Sequence, residues 1–292
     1  MSTGDPLAAL TPSDSSSFVS GRLGMERCHS SDLTCALPHD VRESQRLDFQ
    51  HYIFRQVLGG LHTAPLSDPL AVLDIGCGTG RWAREMALKF PHTQVVGLDV
   101  RTPRPVHVLP AAGCFTFIEH DVNSPLPFDD ESFDYVHIQL MYSSVSASRW
   151  PGLLAEVLRI TRRGGWVESV ESSLPTMAGP ALTRMINWWY ELAEYQGIDV
   201  QIALHLPRLM RMTGLCSVTH RGLDVPAGDR AGRAGSLMAT DGVAIMDRLR
   251  PAILALGITT AREYDRVAAR SRGEMKEYRI ISPVHVSLGQ RP

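Results

Sequence analysis

The sequence predicts an α/β fold: an open, twisted, mostly parallel sheet with helices packed against it. Three observations carry that expectation. The first is the stretch Val72-Leu73-Asp74-Ile75-Gly76-Cys77-Gly78-Thr79-Gly80-Arg81-Trp82-Ala83, where a short apolar run gives way to three alternate glycines and then to helical spacing. The second is the alternation of short apolar runs with helical stretches from there to Glu171. The third is the end of the chain, where a strand pattern, two helical stretches and a last strand pattern follow one another. An apolar run without in-out alternation is the mark of a strand covered on both faces, as parallel strands between helices are.

Taken in order, residues 1 to about 20 are rich in Ser, Pro, Thr and Gly and poor in large apolar side chains, so 1–39 reads as a mobile N-terminal extension and 40–292 as the folded domain. Asp40 is placed to cap a helix running to about Leu58, with Leu47, Tyr52, Ile53, Phe54 and Leu58 as its apolar stripe and Gly59-Gly60 as its end. Ala71 to Asp74 is a strand. The glycines that follow suit a turn that needs positive φ and a close approach of backbone to ligand, both of which a Cβ resists. Arg81 to Phe90 reads as a helix with Trp82, Met86, Ala87 and Phe90 on one side. Its free N-terminal N–H groups face the turn and attract the negative end of a ligand.

Thr93 to Asp99 is the next strand, and it ends in an acid. A carboxylate about 20 residues beyond a glycine turn is placed to take both hydroxyls of a ribose. A dinucleotide fingerprint would need glycine where Arg81 stands, so the ligand reads as a nucleoside without pyrophosphate, and NAD is disfavoured. Arg101, Pro103 and Pro105 form a loop, and Cys114 to Ile118 a short third strand. Pro125-Leu126-Pro127-Phe128 is a turn. Asp129-Asp130-Glu131 is a solvated acidic tip, not a metal site.

Phe133 to Gln139 alternates as a strand. Its carboxyl end lies on the side of an open sheet where ligands bind, so Gln139, Leu140, Met141 and Tyr142 should border the nucleoside and any molecule that reacts with it. Trp150 to Ile160 is a helix, Arg162-Arg163-Gly164-Gly165 a turn, and Trp166 to Glu171 a strand. Glu168 and Glu171, three apart, fall on opposite faces. Glu171, nearer the carboxyl end, is the candidate to orient or deprotonate an acceptor. After Pro180 comes a helix carrying Met185, Trp188, Trp189, Tyr190, Leu192 and Tyr195. Adjacent tryptophans cannot share one side of a helix. Two readings stay open: plain core packing, or one ring on the core and the other on a pocket wall, suited to an apolar or aromatic molecule or to a cation held on ring faces. Val200 to Thr213 is a helix ended by Gly214, Cys216 to Leu223 a strand, and Pro226 to Gly235 a loop. Ser236 to Leu256 and Thr259 to Ala269 are helices. Tyr278 to Leu288 is the final strand, with Pro283 marking a bulge or an edge.

Bulk properties narrow the classes. A hydrophobic content of 44% supports a sizeable core, and a net charge of −2 marks no nucleic-acid partner. The start lacks a basic stretch followed by an apolar run, so no signal peptide is expected, and no apolar run approaches the ~20 residues of a membrane span. The five cysteines, Cys28, Cys35, Cys77, Cys114 and Cys216, have no C-x-x-C spacing. Reduced thiols, no metal and a cytoplasmic location are the expectation. Homo-oligomerisation is left open.

Four motifs, D-I-G-C-G-T-G-R-W-A, V-V-G-L-D-V, P-L-P-F-D-D-E-S-F-D-Y-V-H and R-R-G-G-W-V-E, stand here in an order and spacing that resembles the class I S-adenosylmethionine-dependent methyltransferases over residues 40–175. The segment R-L-D-F-Q-H-Y-I-F-R-Q-V-L-G-G-L-H-T-A-P-L, from Arg46 to Leu66, resembles the LaeA-like group, known from fungal secondary metabolism. The resemblance implies a Rossmann-like, seven-stranded sheet with helices on both faces. It implies a cover helix at 40–60, a cofactor-binding core at 68–172, an inserted helical acceptor lid at 176–214 and a sheet-closing part at 215–292. S-adenosylmethionine is the implied cofactor. It would be held by Asp74, by Gly76, Cys77, Gly78 and Gly80 of the turn, by Trp82, by Asp99 and Val100, and by Gln139 and Leu140. Asp121 would meet the adenine amino group and Val122 the ring. Arg46, Gln50, His51 and Tyr52 are candidates for closing the pocket. Tyr52, Met141, Trp188 and Trp189 would face the acceptor, with Glu171 or Tyr142 serving an amine or hydroxyl that must lose a proton. The implied reaction is in-line methyl transfer to a small molecule of specialised metabolism. The alternatives are a protein-modifying or regulatory methyltransferase, and a cofactor-binding interaction module without catalysis.

Overall fold

β1 (Ala71–Ile75), β2 (Gln94–Asp99), β3 (Phe115–Glu119), β4 (Phe133–Gln139) and β5 (Thr161–Ser172) run parallel. β6 (Cys216–Ala227) and β7 (Ile280–Gln290) complete one sheet in the order β3-β2-β1-β4-β5-β7-β6, in which β7 is antiparallel to both neighbours. The structure, a computed structural model, describes residues 41–101 and 114–292. The readings made on 1–40, the Asp40 cap among them, and on Pro103 and Pro105 lie outside the described residues.

The two faces of the sheet are covered differently. α3 (Trp150–Ile160) and α5 (Ile202–Thr213) pack on one face, where Trp150, Leu154, Leu206 and Met210 meet Leu73, Ile75, Val136 and Val167. On the other face α2 (Arg81–Lys89) lays Trp82 and Met86 on Val72 and Tyr135. Beside it, α1 (Val41–Leu58), α4 (Pro180–Tyr195) and α6 (Gly232–Ala255) bring Ile53, Phe54, Leu182, Ile186 and Met238 onto Val170, Val284 and Val286. α7 (Ala261–Glu277) joins α4 and α6 through Trp188, Leu249, Tyr264 and Val267. All five residues of β1 are buried, as an unalternating apolar run requires. Each fully buried leucine of such a core contributes about 1.5–3 kcal/mol over leaving it exposed.

Several boundaries differ from the sequence reading, each for a packing reason. Arg162 to Gly165 is not a turn but part of β5. Gly164 is left-handed (φ 75°), and the register slips between Phe133 and Tyr135, so the glycine pair bulges the strand without reversing it. Arg162 also binds Asp134 of β4 from there (2.9 Å). β6 runs past Leu223 to Ala227 because its ladder with β7 continues from Asp224↔Pro283 to Ala227↔Ile280. α6 starts at Gly232, within the stretch read as a loop. α7 continues past Ala269 to Glu277 because Ser271 and Glu274 stay on its buried side. Glu274 accepts the Ala181 and Leu182 N–H groups (2.9 Å each), capping α4, whose own N-cap residue is Gly179. Pro283 causes no bulge; it lies just past Ser172↔Val284, the last rung between β5 and β7. Within 176–214, α4 lies on the α1 side of the sheet and α5 on the opposite side with α3.

Candidate functional site

β1 ends at Ile75, and the chain turns through Gly76, Gly78 and Gly80 with φ of 71°, 55° and 71°. Conformation is one reason for glycine here and space is the other. A Cβ on Gly76 would stand 2.1 Å from Met141 Sδ, and one on Gly78 would stand 3.3 Å from Leu47 Cδ1. The Gly76 and Cys77 N–H groups both donate to the Leu98 carbonyl (2.8 and 3.0 Å), which ties the turn to β2. Cys77 packs on Gly97. Burial, with Asp74 and Asp99 nearby, pushes its thiol well above the usual range, so it is a neutral packing residue.

Asp99, at the end of β2, accepts the Gly78 N–H through Oδ2 (2.9 Å), while burial pushes its carboxyl up. Asp121 Oδ1 accepts both the backbone and the side-chain N–H of Asn123 (2.9 Å each), and Val122 beside it is buried. Beneath the turn Asp74 pairs with His137 Nδ1 (3.0 Å). Trp82 lies flat on that imidazole (3.9 Å between centroids, 3° between planes) and donates its indole N–H to the Leu61 carbonyl (2.7 Å).

These groups line one end of a cavity of about 700 Å³, within the range of small-molecule sites. Gln139, Leu140 and the half-exposed Val100 border it too; Gly80 does not, standing instead at the start of α2 against Phe115.

α1 roofs the cavity. Its Asp48 accepts the Thr79 hydroxyl (2.6 Å), Leu47 lies over Gly78, and Arg46, Gln50 and His51 line the wall. Tyr52, predicted to face the acceptor, is instead 41% exposed and off the wall. His51 (3.2 Å), Arg55 (2.8 Å) and Arg81 (2.9 Å) converge on Glu85 of α2. Burial raises the Glu85 carboxyl, but its hydrogen bonds to His51 and Arg81 outweigh that and bring it down to about 2.

On the other side α1 grips α6. Arg46 donates from Nη1 to Asp241 (2.8 Å) and from Nε and Nη2 to Glu43 (3.0 and 2.7 Å), and Gln50 donates to the second Asp241 oxygen (2.7 Å). Burial opposes the charge on Arg46, yet the two carboxylates hold the guanidinium above its ordinary range. Sequence reasoning missed Asp241. The signal was available: a lone acid inside the apolar run S-L-M-A-T-D-G-V-A-I-M needs a buried partner.

Of the predicted catalytic pair, Tyr142 lies in the loop after β4 and Glu171 near the end of β5, and the structure separates their roles. Glu171 has no exposed surface and does not line the cavity. It shares a sheet face with Val167, and its oxygens accept the Met141 and Tyr142 N–H groups (2.9 and 3.2 Å). Burial raises its carboxyl to about 8. The two hydrogen bonds pin a loop whose first residue, Leu140, is left-handed (φ 54°). Glu168 is likewise taken, by Thr63 and Ala64. Tyr142 does reach the cavity, with burial and the Glu171 charge raising its phenol to about 12. Trp189 also lies on the wall, edge-on to Tyr142 (6.4 Å, 81°), whereas Trp188 stacks on Tyr264 away from it (5.5 Å, 21°). The adjacent tryptophans are thus divided between chamber and core. Among the described residues no group of three or more His, Cys, Asp or Glu side chains could hold a metal, and no helix is long and apolar enough to cross a membrane.

Comparison with known proteins places this geometry. A family model described as a methyltransferase domain matches residues 72–165. The secondary metabolism regulator laeA of Aspergillus flavus is 34% identical over 199 residues, 65% of this chain and 53% of that protein. The protein-methionine methyltransferase laeA of Emericella nidulans is 35% identical over 137 residues, 46% of this chain and 36% of that protein. The chain spans about half the length of the first relative and about a third of the second. Among solved structures, the Haemonchus contortus phosphoethanolamine N-methyltransferase 2 in complex with phosphomonomethylethanolamine and S-adenosylhomocysteine is similar in fold, with a TM-score of 0.51 and 15% identity over 86% of this chain and 59% of that one.

Proposed function

The chain belongs to the class I S-adenosylmethionine-dependent methyltransferases, in their LaeA-like group, and from that premise we propose that it methylates a small-molecule acceptor of specialised metabolism. One observation carries the reading. A single cavity joins the glycine turn, with Asp99 and Asp121, to an apolar chamber walled by Tyr142 and Trp189. The residues present fit the cofactor. The turn exposes backbone without Cβ atoms, Asp99 offers an acceptor to a ribose diol and Asp121 to an adenine amine, and Val122 offers an apolar surface to the ring.

When bound, S-adenosylmethionine supplies a methyl group already activated by its sulfonium, transferred by in-line displacement. The protein's share is then to align the acceptor and exclude water, which can supply up to roughly 7–11 kcal/mol. α1 closes over the turn through Asp48 and Thr79. Glu171 acts as a positioning residue, since it holds the Met141–Tyr142 backbone and does not itself reach the chamber. Tyr142 keeps its proton at neutral pH and serves as a hydrogen-bond donor to the acceptor, not as a base.

Calorimetric titration with S-adenosylmethionine, S-adenosylhomocysteine and NAD tests the reading. Micromolar binding of the first two and none of NAD is expected; no binding of either sulfur nucleoside overturns it. A second reading, transfer to a methionine of a protein, is favoured by the five methionines on the cavity wall, Met141, Met185, Met238, Met246 and Met275, with the Met141 thioether lying over Gly76. The Emericella nidulans relative is named for that reaction. Peptide mass mapping after incubation with the cofactor separates the two. A methylsulfonium on a protein methionine supports the second reading, and label found only in small molecules supports the first.

A further inference from the structure

We propose that the acceptor is an electrically neutral, largely apolar molecule, and not an ammonium, a phosphate ester or a carboxylate. The inference rests on the methyltransferase reading and specifies its acceptor. The chamber beyond the glycine turn is walled by Leu182, Met185 and Trp189 of α4, Met238 of α6, Met275 of α7 and Val284 of β7. Its charged side chains are already matched to one another. Arg46 spends all three guanidinium nitrogens on Glu43 and Asp241, Arg248 adds a bond to Glu43 (3.2 Å), and Arg272 holds Asp247 (3.0 Å). Three acids of the wall are thus matched by Arg46 and Arg272 on it and by Arg248 from off the wall. Asp241 has one oxygen on Arg46 and the other on Gln50. An ammonium that took Asp241 as counter-ion would have to strip it from Arg46, and an anion that took Arg46 would have to displace Glu43. Burying a charge without a partner costs several kcal/mol, so the matched network selects against both signs.

The ring-face route to a cation is closed as well. Trp188 is turned to the core, with Arg184 over its ring (5.7 Å) and Tyr264 stacked on it. That leaves Trp189 as a single indole with Tyr142 edge-on beside it, short of the several converging faces that hold a cation well. Methionines make up much of the remaining wall and adapt their shape to apolar bodies. The wall still makes a polar demand: the buried indole N–H of Trp189 finds no acceptor among the described residues and the Tyr142 hydroxyl stands beside it, so a neutral molecule carrying a carbonyl or hydroxyl oxygen suits the chamber better than a bare hydrocarbon.

The test is a matched naphthalene series: 2-naphthol, 2-naphthoate, 2-naphthyl phosphate and 2-naphthylmethylammonium, titrated into the full chain saturated with S-adenosylhomocysteine. 2-Naphthol should bind at least about ten-fold more tightly than each charged analogue. Equal or tighter binding of any charged member, or binding of none of the four to nucleoside-loaded protein, overturns the inference. The nucleoside titration itself reports separately on the methyltransferase reading. Two variants locate the effect. Trp189→Ala should weaken 2-naphthol by about ten-fold and leave S-adenosylhomocysteine within about two-fold. Arg272→Met, at the exposed rim and away from the buried cluster, should strip Asp247 of its partner and narrow the gap between 2-naphthol and the ammonium. If both leave the series unchanged, the probes bind elsewhere and the chamber is not the acceptor site.

Discussion

The two ends of the cavity are built by different means. At the glycine turn the main chain does the work. Three left-handed glycines, two N–H groups on the Leu98 carbonyl and one on Asp99 all lie between residues 76 and 99. At the chamber end side chains do the work, over long reaches of chain, with Arg46 meeting Asp241 across 195 positions. The first end is a local property of one βαβ unit. The second exists only when α1 and α6, which flank the whole parallel part of the sheet in sequence, are brought together. A backbone-built end should therefore tolerate loss of side-chain charge in stability and pay for it in ligand affinity, and the chamber end should behave the opposite way.

Arg46→Met is the strongest test of that contrast. It leaves Asp241 buried without a guanidinium and Glu43 with Arg248 alone, and should cost about 3–5 kcal/mol in denaturant unfolding. The double variant Arg46→Met/Asp241→Leu should recover much of the loss, and a single variant as stable as the parent breaks the comparison. Asp99→Ala is the counterpart at the other end. Calorimetry should read a loss of about 1.5–3 kcal/mol in S-adenosylmethionine binding, roughly 10- to 150-fold, with little change in melting temperature. Glu171→Gln sits where the two ends meet. It removes one of the two acceptors for the Met141 and Tyr142 N–H groups and should cost about 1–3 kcal/mol while lowering turnover more than cofactor affinity.

The pH dependence of that site has a definite sign. Burial lifts the Glu171 pKa from 4.5 to about 8, so the folded protein favours the protonated form. The stability tied to that proton is complete below 4.5 and declines as the pH rises through about 8, a slope that the Gln variant should flatten. Glu85 runs the other way and more weakly. Its pKa falls to about 2, so its contribution is present above 4.5 and lost as the pH drops toward 2. Arg55, half exposed, is one of its partners, and Glu85→Gln should cost less than about 1 kcal/mol at neutral pH, vanishing in melts run at pH about 2.

The same contrast explains what the sequence disclosed. The strand, the three glycines and Asp99 were legible because their chemistry needs fixed residue types at short, fixed spacing. β4 and α3 were legible to the residue because their patterns are unbroken and short. The Arg162–Gly165 bulge was misread because a glycine pair looks the same in a turn and in a bulged strand; only the pairing on both flanks decides. The ends of β6 and α7 were underestimated because exposed and charged residues such as Asp224 and Lys276 hide the continuing ladder and the buried Glu274. Glu171 was placed at the right end of the right strand but assigned to the wrong side of it. One residue of parity separates Ser172, which lines the cavity, from Glu171, which holds the neighbouring loop. Tyr52 and Trp188 were lost to the same cause, since a helix shows its residue types in sequence more clearly than its rotation about its own axis.

α1 is held on both flanks, by Thr79 of the glycine turn and by Asp241 of α6. It therefore works as one door shared by two rooms. The nucleoside end and the chamber therefore share one cover, and a change that loosens either latch acts on the wall of both.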